Sequence, residues 1–266
     1  MSQVGSEAGQ GSPMSIEQRH IVLQVQGLSK RFADKTVLED ITFDIRQGES
    51  VALIGSNGVG KSTALYCCLR LIEPENGRIQ LLDQNLLGVK AKSLRMVRRE
   101  VGFIFQKHNL VPRACALTNV LHGALGYQSG PRQWLHCLTK SKNRKRAYEM
   151  LERVGLNHIA LQRADKLSGG QSQRVAIARA LMQNPKIIMA DEPVASLDPI
   201  AGEAIMQLFF SLCKSDGITL LFTSHNIEHA LQYSDRVLAI AGGKITLDAC
   251  SAELDAADLN QQYHYG

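Results

Sequence analysis

Apolar and polar positions alternate along the first third of the chain and cluster into short apolar runs further on. Ile21–Gln26 and Val37–Ile45 alternate or run apolar with β-branched residues, and Arg78–Leu82 is similar; these patterns predict strands. Together they predict an antiparallel β layer. Val51–Ile54 is a short apolar run followed by a helical pattern over Ala64–Leu71, and Val101–Phe105 is a further strand. From Lys107 to about Lys166 strand signals vanish, with breaks at Pro112, Gly126 and Gly130-Pro131. That stretch is expected to be an inserted, mainly helical subdomain. Strands return at Ile187–Ala190 and Ile218–Phe222, each followed by helical pattern, Ile200–Cys213 and Ile227–Tyr233. Alternating strand and helix implies a parallel sheet flanked by helices, so the fold class is α/β. Val237–Ile240 and Lys244–Leu247, split by Gly242-Gly243, predict a closing hairpin. No internal repeat is evident.

Composition narrows this picture modestly. The 266 residues are 44% hydrophobic and only 5% aromatic, which suits one large α/β domain with an aliphatic core. No apolar run approaches the roughly 18 residues of a membrane span. Residues 1–20 are polar and rich in Gly, Ser and Gln, which predicts a disordered tail and no secretory leader. Cytosolic placement is expected, compatible with attachment to a membrane through a partner. The six cysteines form no C-x-x-C pair and are expected to be structural thiols in a reducing compartment. The net charge of +5 is local: Arg132–Arg146 carries Arg132, Lys140, Lys142, Arg144, Lys145 and Arg146 with no acid. A solvated helical face explains such a run, and so does contact with anionic headgroups or an acidic partner.

Chemistry enters at residues 55–63, Gly-Ser-Asn-Gly-Val-Gly-Lys-Ser-Thr. The pattern G-x-x-x-x-G-K-[ST] stands here between a strand and a helix, which is the context that makes it a phosphate-binding loop. Gly55, Gly58 and Gly60 let the backbone curl, so that amides of the loop through Ser56, Asn57 and Thr63 can face phosphate oxygens at a helix N-terminus. Lys61 is placed for the β- and γ-phosphates and Ser62 for Mg²⁺. A second element is Ile187–Ala190 followed by Asp191 and Glu192. Ligands bind at the carboxyl ends of parallel strands. Asp191 can hold Mg²⁺ there, and Glu192 can polarise a water attacking the γ-phosphate.

Leu167-Ser168-Gly169-Gly170-Gln171, followed by the helical Ser172–Met182, matches the signature LSGGQ. With the two elements above, it makes the chain resemble the ATP-binding-cassette ATPases, the motor subunits of ABC transporters. The resemblance covers roughly residues 21–248. It leaves 1–20 as a tail, about 107–166 as the helical subdomain and 249–266 as a C-terminal tail. The remaining roles follow from the resemblance. Gln106 is similar to the Q-loop glutamine that senses Mg²⁺. Ser196-Leu197-Asp198 resembles the D-loop, and His225 the switch histidine at the γ-phosphate. Phe32 stands where the family keeps an aromatic that stacks on adenine. Alone, each of these residues is ordinary. His225-Asn226-Ile227-Glu228-His229 also matches the zinc-peptidase pattern H-x-x-E-H. The phosphate loop already accounts for His225, and no Cys or His cluster supplies further ligands.

The resemblance implies a homodimer in which Ser168, Gly169, Gly170 and Gln171 of one subunit complete the ATP site of the other, with Asp198 crossing between them. It implies separate transmembrane permease subunits and, indirectly, a periplasmic solute-binding protein. It places the chain peripherally at the cytoplasmic face of the cell membrane, with no nucleic acid expected. The stretches Phe105–Arg113, Leu117–Val120, Gln162–Asp165 and Ala190–Pro199 resemble the phosphonate importer subfamily, and a related phosphorus oxyanion is equally compatible. An importer of amino acids or another small solute is the alternative within the family. A soluble cassette protein acting on DNA or ribosomes would carry two cassettes or a long coiled-coil insertion, and a scaffold without turnover would have no need of Glu192 and His225.

Overall fold

The computed structural model describes residues 16–127 and 139–263. Arg132, Trp134 and Cys137 lie outside the described residues. A four-stranded antiparallel sheet has the order β2-β1-β4-β5, built from β1 (Ile21–Phe32), β2 (Lys35–Arg46), β4 (Asn76–Leu81) and β5 (Gln84–Asn85). The second sheet has the order β10-β9-β3-β8-β7-β6. Its strands are β3 (Ser50–Ile54), β6 (Val101–Ile104), β7 (Ile187–Ala190), β8 (Thr219–Ser224), β9 (Arg236–Ala241) and β10 (Lys244–Cys250). All its pairings are parallel except β9 with β10, the expected hairpin.

The central strands are apolar throughout because both faces are covered. Val51 and Leu53 of β3, Ile187 and Met189 of β7 and Leu221 of β8 point into one core. That core is filled by the antiparallel sheet with α1 (Lys61–Cys68) and α2 (Ala91–Arg98). The alternate residues Ala52, Ile54, Ile188, Ala190, Leu220 and Phe222 point into the other. There they meet α5 (Gly169–Met182), α6 (Pro199–Ser215) and α7 (Ile227–Tyr233), and the short α3 (Ala116–Leu121) and α4 (Ser141–Arg153) pack on α5.

Three differences from expectation have physical causes. The helix expected over 64–71 begins at Lys61, because Gly60 at φ 115° turns the chain straight from the loop into the helix, and it ends at Cys68. Helix α2 is additional to the expected elements: it has only eight residues, and the face it buries is Leu94 and Val97, three positions apart. Beyond 248 the chain continues through β10 into α8 (Ala256–Tyr263), whose Leu259 is buried in the second core. The basic residues Lys140, Lys142, Arg144 and Lys145 are exposed at the start of α4. Burial pushes the Cys67 thiol up to about 11 and raises those of Cys68 and Cys213 further, which keeps them protonated and unreactive.

Candidate functional site

The loop after β3 is shaped by close backbone approach. A Cβ on Gly55 would lie 2.5 Å from the Ile240 carbonyl oxygen, and one on Gly60 would lie 2.9 Å from Leu38 Cδ2. Only glycine fits at either place. Lys61 is 4% exposed. Its ammonium donates to the carbonyls of Gly55 at 2.8 Å and Ser56 at 3.2 Å, which holds it along the curl of the loop. Asn57 and Gly58 form the tip, and Ser62 and Thr63 lie in the first turn of α1 with no acid there to oppose an anion.

The carboxyl ends of the parallel strands bring the other groups to this loop. Asp191, directly after β7, is 1% exposed. Its Oδ1 accepts from Ser62 Oγ at 2.8 Å and Thr223 Oγ1 at 2.9 Å, and its Oδ2 from Tyr66 Oη at 2.8 Å. The serine hydroxyl beside a buried carboxylate is a hard-oxygen set, which fits Mg²⁺ rather than a softer metal. Consecutive residues of an extended strand point to opposite faces. Here Glu192 leaves the strand geometry at φ 44°, and its N–H donates to Thr223 Oγ1 at 2.8 Å. That turn sets the Glu192 carboxylate at the meeting point of three further elements. Oε2 accepts from Gln106 Nε2 at 3.0 Å and lies 3.7 Å from His225 Nδ1, and Oε1 lies 3.6 Å from Lys61 Nζ. A carboxylate so placed can take a proton from a water beside a phosphate held by Lys61.

His225 follows β8 and precedes Asn226, whose side chain caps α7 by accepting from the His229 N–H at 3.0 Å. The H-x-x-E-H histidines face different partners, since His229 Nε2 lies 3.4 Å from Glu203. Gln106 follows β6, and the turn after it is held by Arg179 of α5, which donates to the carbonyls of His108 and Asn109, each at 2.6 Å.

The signature residues and Phe32 sit apart from this cluster, and Asp198 lies beside it. Ser168 is the N-cap of α5 and forms a capping box with Gln171, so the Gln171 side chain is engaged in its own helix end. Cβ atoms on Gly169 and Gly170 would face Leu197 and Ile205, at 3.1 and 3.5 Å, so the start of α5 packs on the segment 196–198 and α6. Asp198 caps α6 by accepting from the Ala201 N–H at 2.9 Å. It also lines, with Glu192 and His225, a cavity of about 350 Å³. Phe32 closes β1 at 46% exposure, with the Lys30 ammonium 5.1 Å from its ring centre.

Sequence reasoning overlooked Thr223 and Tyr66. Thr223 is a polar break in the apolar run of β8, and Tyr66 lies four residues after Ser62 on one helix face. Burial and the neighbouring Asp191 raise the Tyr66 phenol well above its ordinary range, so it remains a donor.

A glycine-lined phosphate loop joined to an apolar strand ending in Asp-Glu defines the site as that of a P-loop ATPase. The ABC transporter family profile matches residues 38–195. The chain is 45% identical to Phosphonates import ATP-binding protein PhnC 2 of Halalkalibacterium halodurans over 91% of this chain and 100% of the relative. It is 40% identical to Phosphonates import ATP-binding protein PhnC of Treponema denticola, over 91% and 94%. Among solved structures, a dimeric ATP-binding cassette in a post-hydrolysis state bound to ADP and Pi superposes with a TM-score of 0.75 at 32% identity, covering 86% of this chain and 98% of that one. For cbiO1 of Clostridium perfringens, part of an ABC transporter complex, the TM-score is 0.76 at 30% identity, with 91% and 95% covered. The chain belongs to the ABC transporter family and is an ATP-hydrolysing subunit of an importer.

Proposed function

We propose that this subunit drives import of phosphonate or a related phosphorus oxyanion. The observation that carries the cargo is likeness across the whole length of relatives bearing that name, at 40–45% identity. None of the nucleotide-site residues touches cargo, so the assignment rests on that likeness and is tested by uptake. Deleting the gene from its own cell should abolish growth on a phosphonate or phosphite as sole phosphorus source. The wild-type chain should restore growth and Lys61→Ala should not. Growth unchanged by the deletion, with a defect in uptake of an amino acid instead, would overturn the cargo and favour the other importer class.

The residues divide the work as follows. Lys61 and the loop amides of Gly55–Thr63 hold the β- and γ-phosphates of ATP. Ser62 and Asp191, with Gln106, hold Mg²⁺, which supplies charge neutralisation at the phosphates. Glu192 holds and polarises the attacking water, Gln106 holds its carboxylate at Oε2, and His225, 3.7 Å from that oxygen, contacts the γ-phosphate. The chain acts as a homodimer, in which Ser168, Gly169, Gly170 and Gln171 reach the ATP held by the partner and Asp198 lines the contact. The Ser168 cap takes the Gln171 N–H and leaves the Gly169 and Gly170 N–H groups at the start of α5 without an intrahelical partner, which suits a phosphate. Separate permease subunits receive the motion at the cytoplasmic face, as the likeness to importer subunits supports; among the described residues no helix is long and apolar enough to cross a membrane. A periplasmic solute-binding protein delivers cargo to them, and no nucleic acid is involved.

Phe32 is assigned to stack on adenine. Its half-exposed ring at a strand end is available for that, and a core residue would be covered. Phe32→Ala is expected to raise the KM for ATP with little change in kcat, because stacking acts about equally on ground and transition states. The loss should be about 1–3 kcal/mol by analogy with base–aromatic stacking. Steady-state ATPase assays at varied ATP decide it, and an unchanged KM removes Phe32 from the site.

A further inference from the structure

Tyr66 stands one helical turn beyond Ser62 on α1, and the two hydroxyls grip opposite oxygens of one carboxylate. Ser62 Oγ donates to Asp191 Oδ1 and Tyr66 Oη to Oδ2, both at 2.8 Å. Thr223 Oγ1 adds a second bond to Oδ1 at 2.9 Å. With Asp191 1% exposed, bulk water cannot replace a lost donor. Oδ1 is the oxygen beside Ser62, and Oδ2 is the one that Tyr66 holds. The χ2 torsion of an aspartate is soft, and both donors at Oδ1 leave Oδ2 to be set by Tyr66, whose hydroxyl narrows the turn about Cβ–Cγ. The Tyr66 ring is itself fixed by Phe103 and Phe105, with centroids 5.7 and 6.4 Å away. Those two rings lie 4.5 Å apart, and Phe105 immediately precedes Gln106. One side chain therefore joins Asp191 to the stem of Gln106.

We infer that Tyr66 is a positioning residue for the divalent cation: its hydroxyl restricts the rotation of the Asp191 carboxylate and keeps Oδ1 beside Ser62 Oγ, the pair that would hold the cation. The inference rests on the assignment of Ser62 and Asp191 to Mg²⁺ made above. Partners that orient a ligating carboxylate commonly set metal affinity by about 10–100-fold.

Mn²⁺ is the probe. It is titrated into the full chain saturated with a non-hydrolysable ATP analogue, and free Mn²⁺ is followed by electron paramagnetic resonance. Tyr66→Phe keeps the ring, its volume and its aromatic contacts, so the variant is expected to fold. It should bind Mn²⁺ about tenfold more weakly, at the lower end of that range. Its affinity for the analogue in EDTA should match wild type. Asp191→Asn is the reference arm. Unchanged Mn²⁺ affinity in Asp191→Asn would defeat the metal assignment itself. A loss there with Tyr66→Phe at the wild-type value would defeat the role of Tyr66 alone. A fall in analogue affinity in EDTA equal to the fall in Mn²⁺ affinity would also overturn the inference, because it would mean that α1 as a whole is disturbed.

Discussion

Lys61→Ala is expected to weaken ATP binding by about two to three orders of magnitude. The ammonium is 4% exposed and lies along the phosphate loop, so its interaction with a triphosphate is little screened. Removing one partner of a buried charge pair typically costs about 3–5 kcal/mol, and about 1.4 kcal/mol is tenfold in affinity. The neighbouring carboxylate enlarges the effect. Glu192 Oε1 is 3.6 Å from Lys61 Nζ, and without the cation it would face the phosphates uncompensated. Equilibrium binding of a fluorescent ATP analogue measures the loss directly. Wild-type affinity in Lys61→Ala would remove the basis for the whole site.

Glu192→Gln is expected to bind ATP, hydrolyse it about 10²–10⁴-fold more slowly and accumulate as an ATP-bound dimer. The amide keeps the size of the side chain, and its oxygen can still accept from Gln106 Nε2, which reaches Glu192 at 3.0 Å. It cannot accept a proton from water, so the chemical step slows while binding survives. Across a dimer the change also removes two negative charges beside two triphosphates, which favours closure. Size-exclusion chromatography with and without ATP reads the outcome. Ser168→Arg in the same background is the control, because a bulky cation at the start of α5 should block closure without touching Lys61. That change also removes a helix cap worth about 1 kcal/mol, so retention of helix by circular dichroism accompanies it. A dimer that persists in the double variant, or that forms without nucleotide, would contradict the sandwich arrangement.

Those two residues were legible in the sequence because their surroundings leave few residue types possible. Gly55 and Gly60 have no room for a Cβ, and the apolar run before Asp191 reflects a strand buried on both faces. Strand and helix order was readable for the same reason, since β3, β7 and β8 are each bracketed by polar turns. What stayed hidden depends on distant contacts or on short elements. Tyr66 meets Asp191 across 125 positions of sequence and Thr223 meets it across 32, and neither relation leaves a periodic trace. The start of α1 was misplaced because Gly60 provides no side-chain cap and its φ of 115° is invisible to propensity. The caps made by Ser168 with Gln171 and by Asp198 follow ordinary N-cap rules.

The position of β3 governs when the site can exist during synthesis. Its two neighbours in the sheet arrive late: Ser50 pairs with Leu220 of β8, and Val51 pairs with Arg236 of β9. The antiparallel layer of β1, β2 and β4 closes within the first third of the chain and has mostly local contacts. The strand that carries the phosphate loop instead waits for the final third to emerge from the ribosome. Long-range parallel pairing of this kind is slow and leaves apolar edges open meanwhile. A fragment that ends before β8 and β9 therefore lacks both strands that flank β3 and support the phosphate loop.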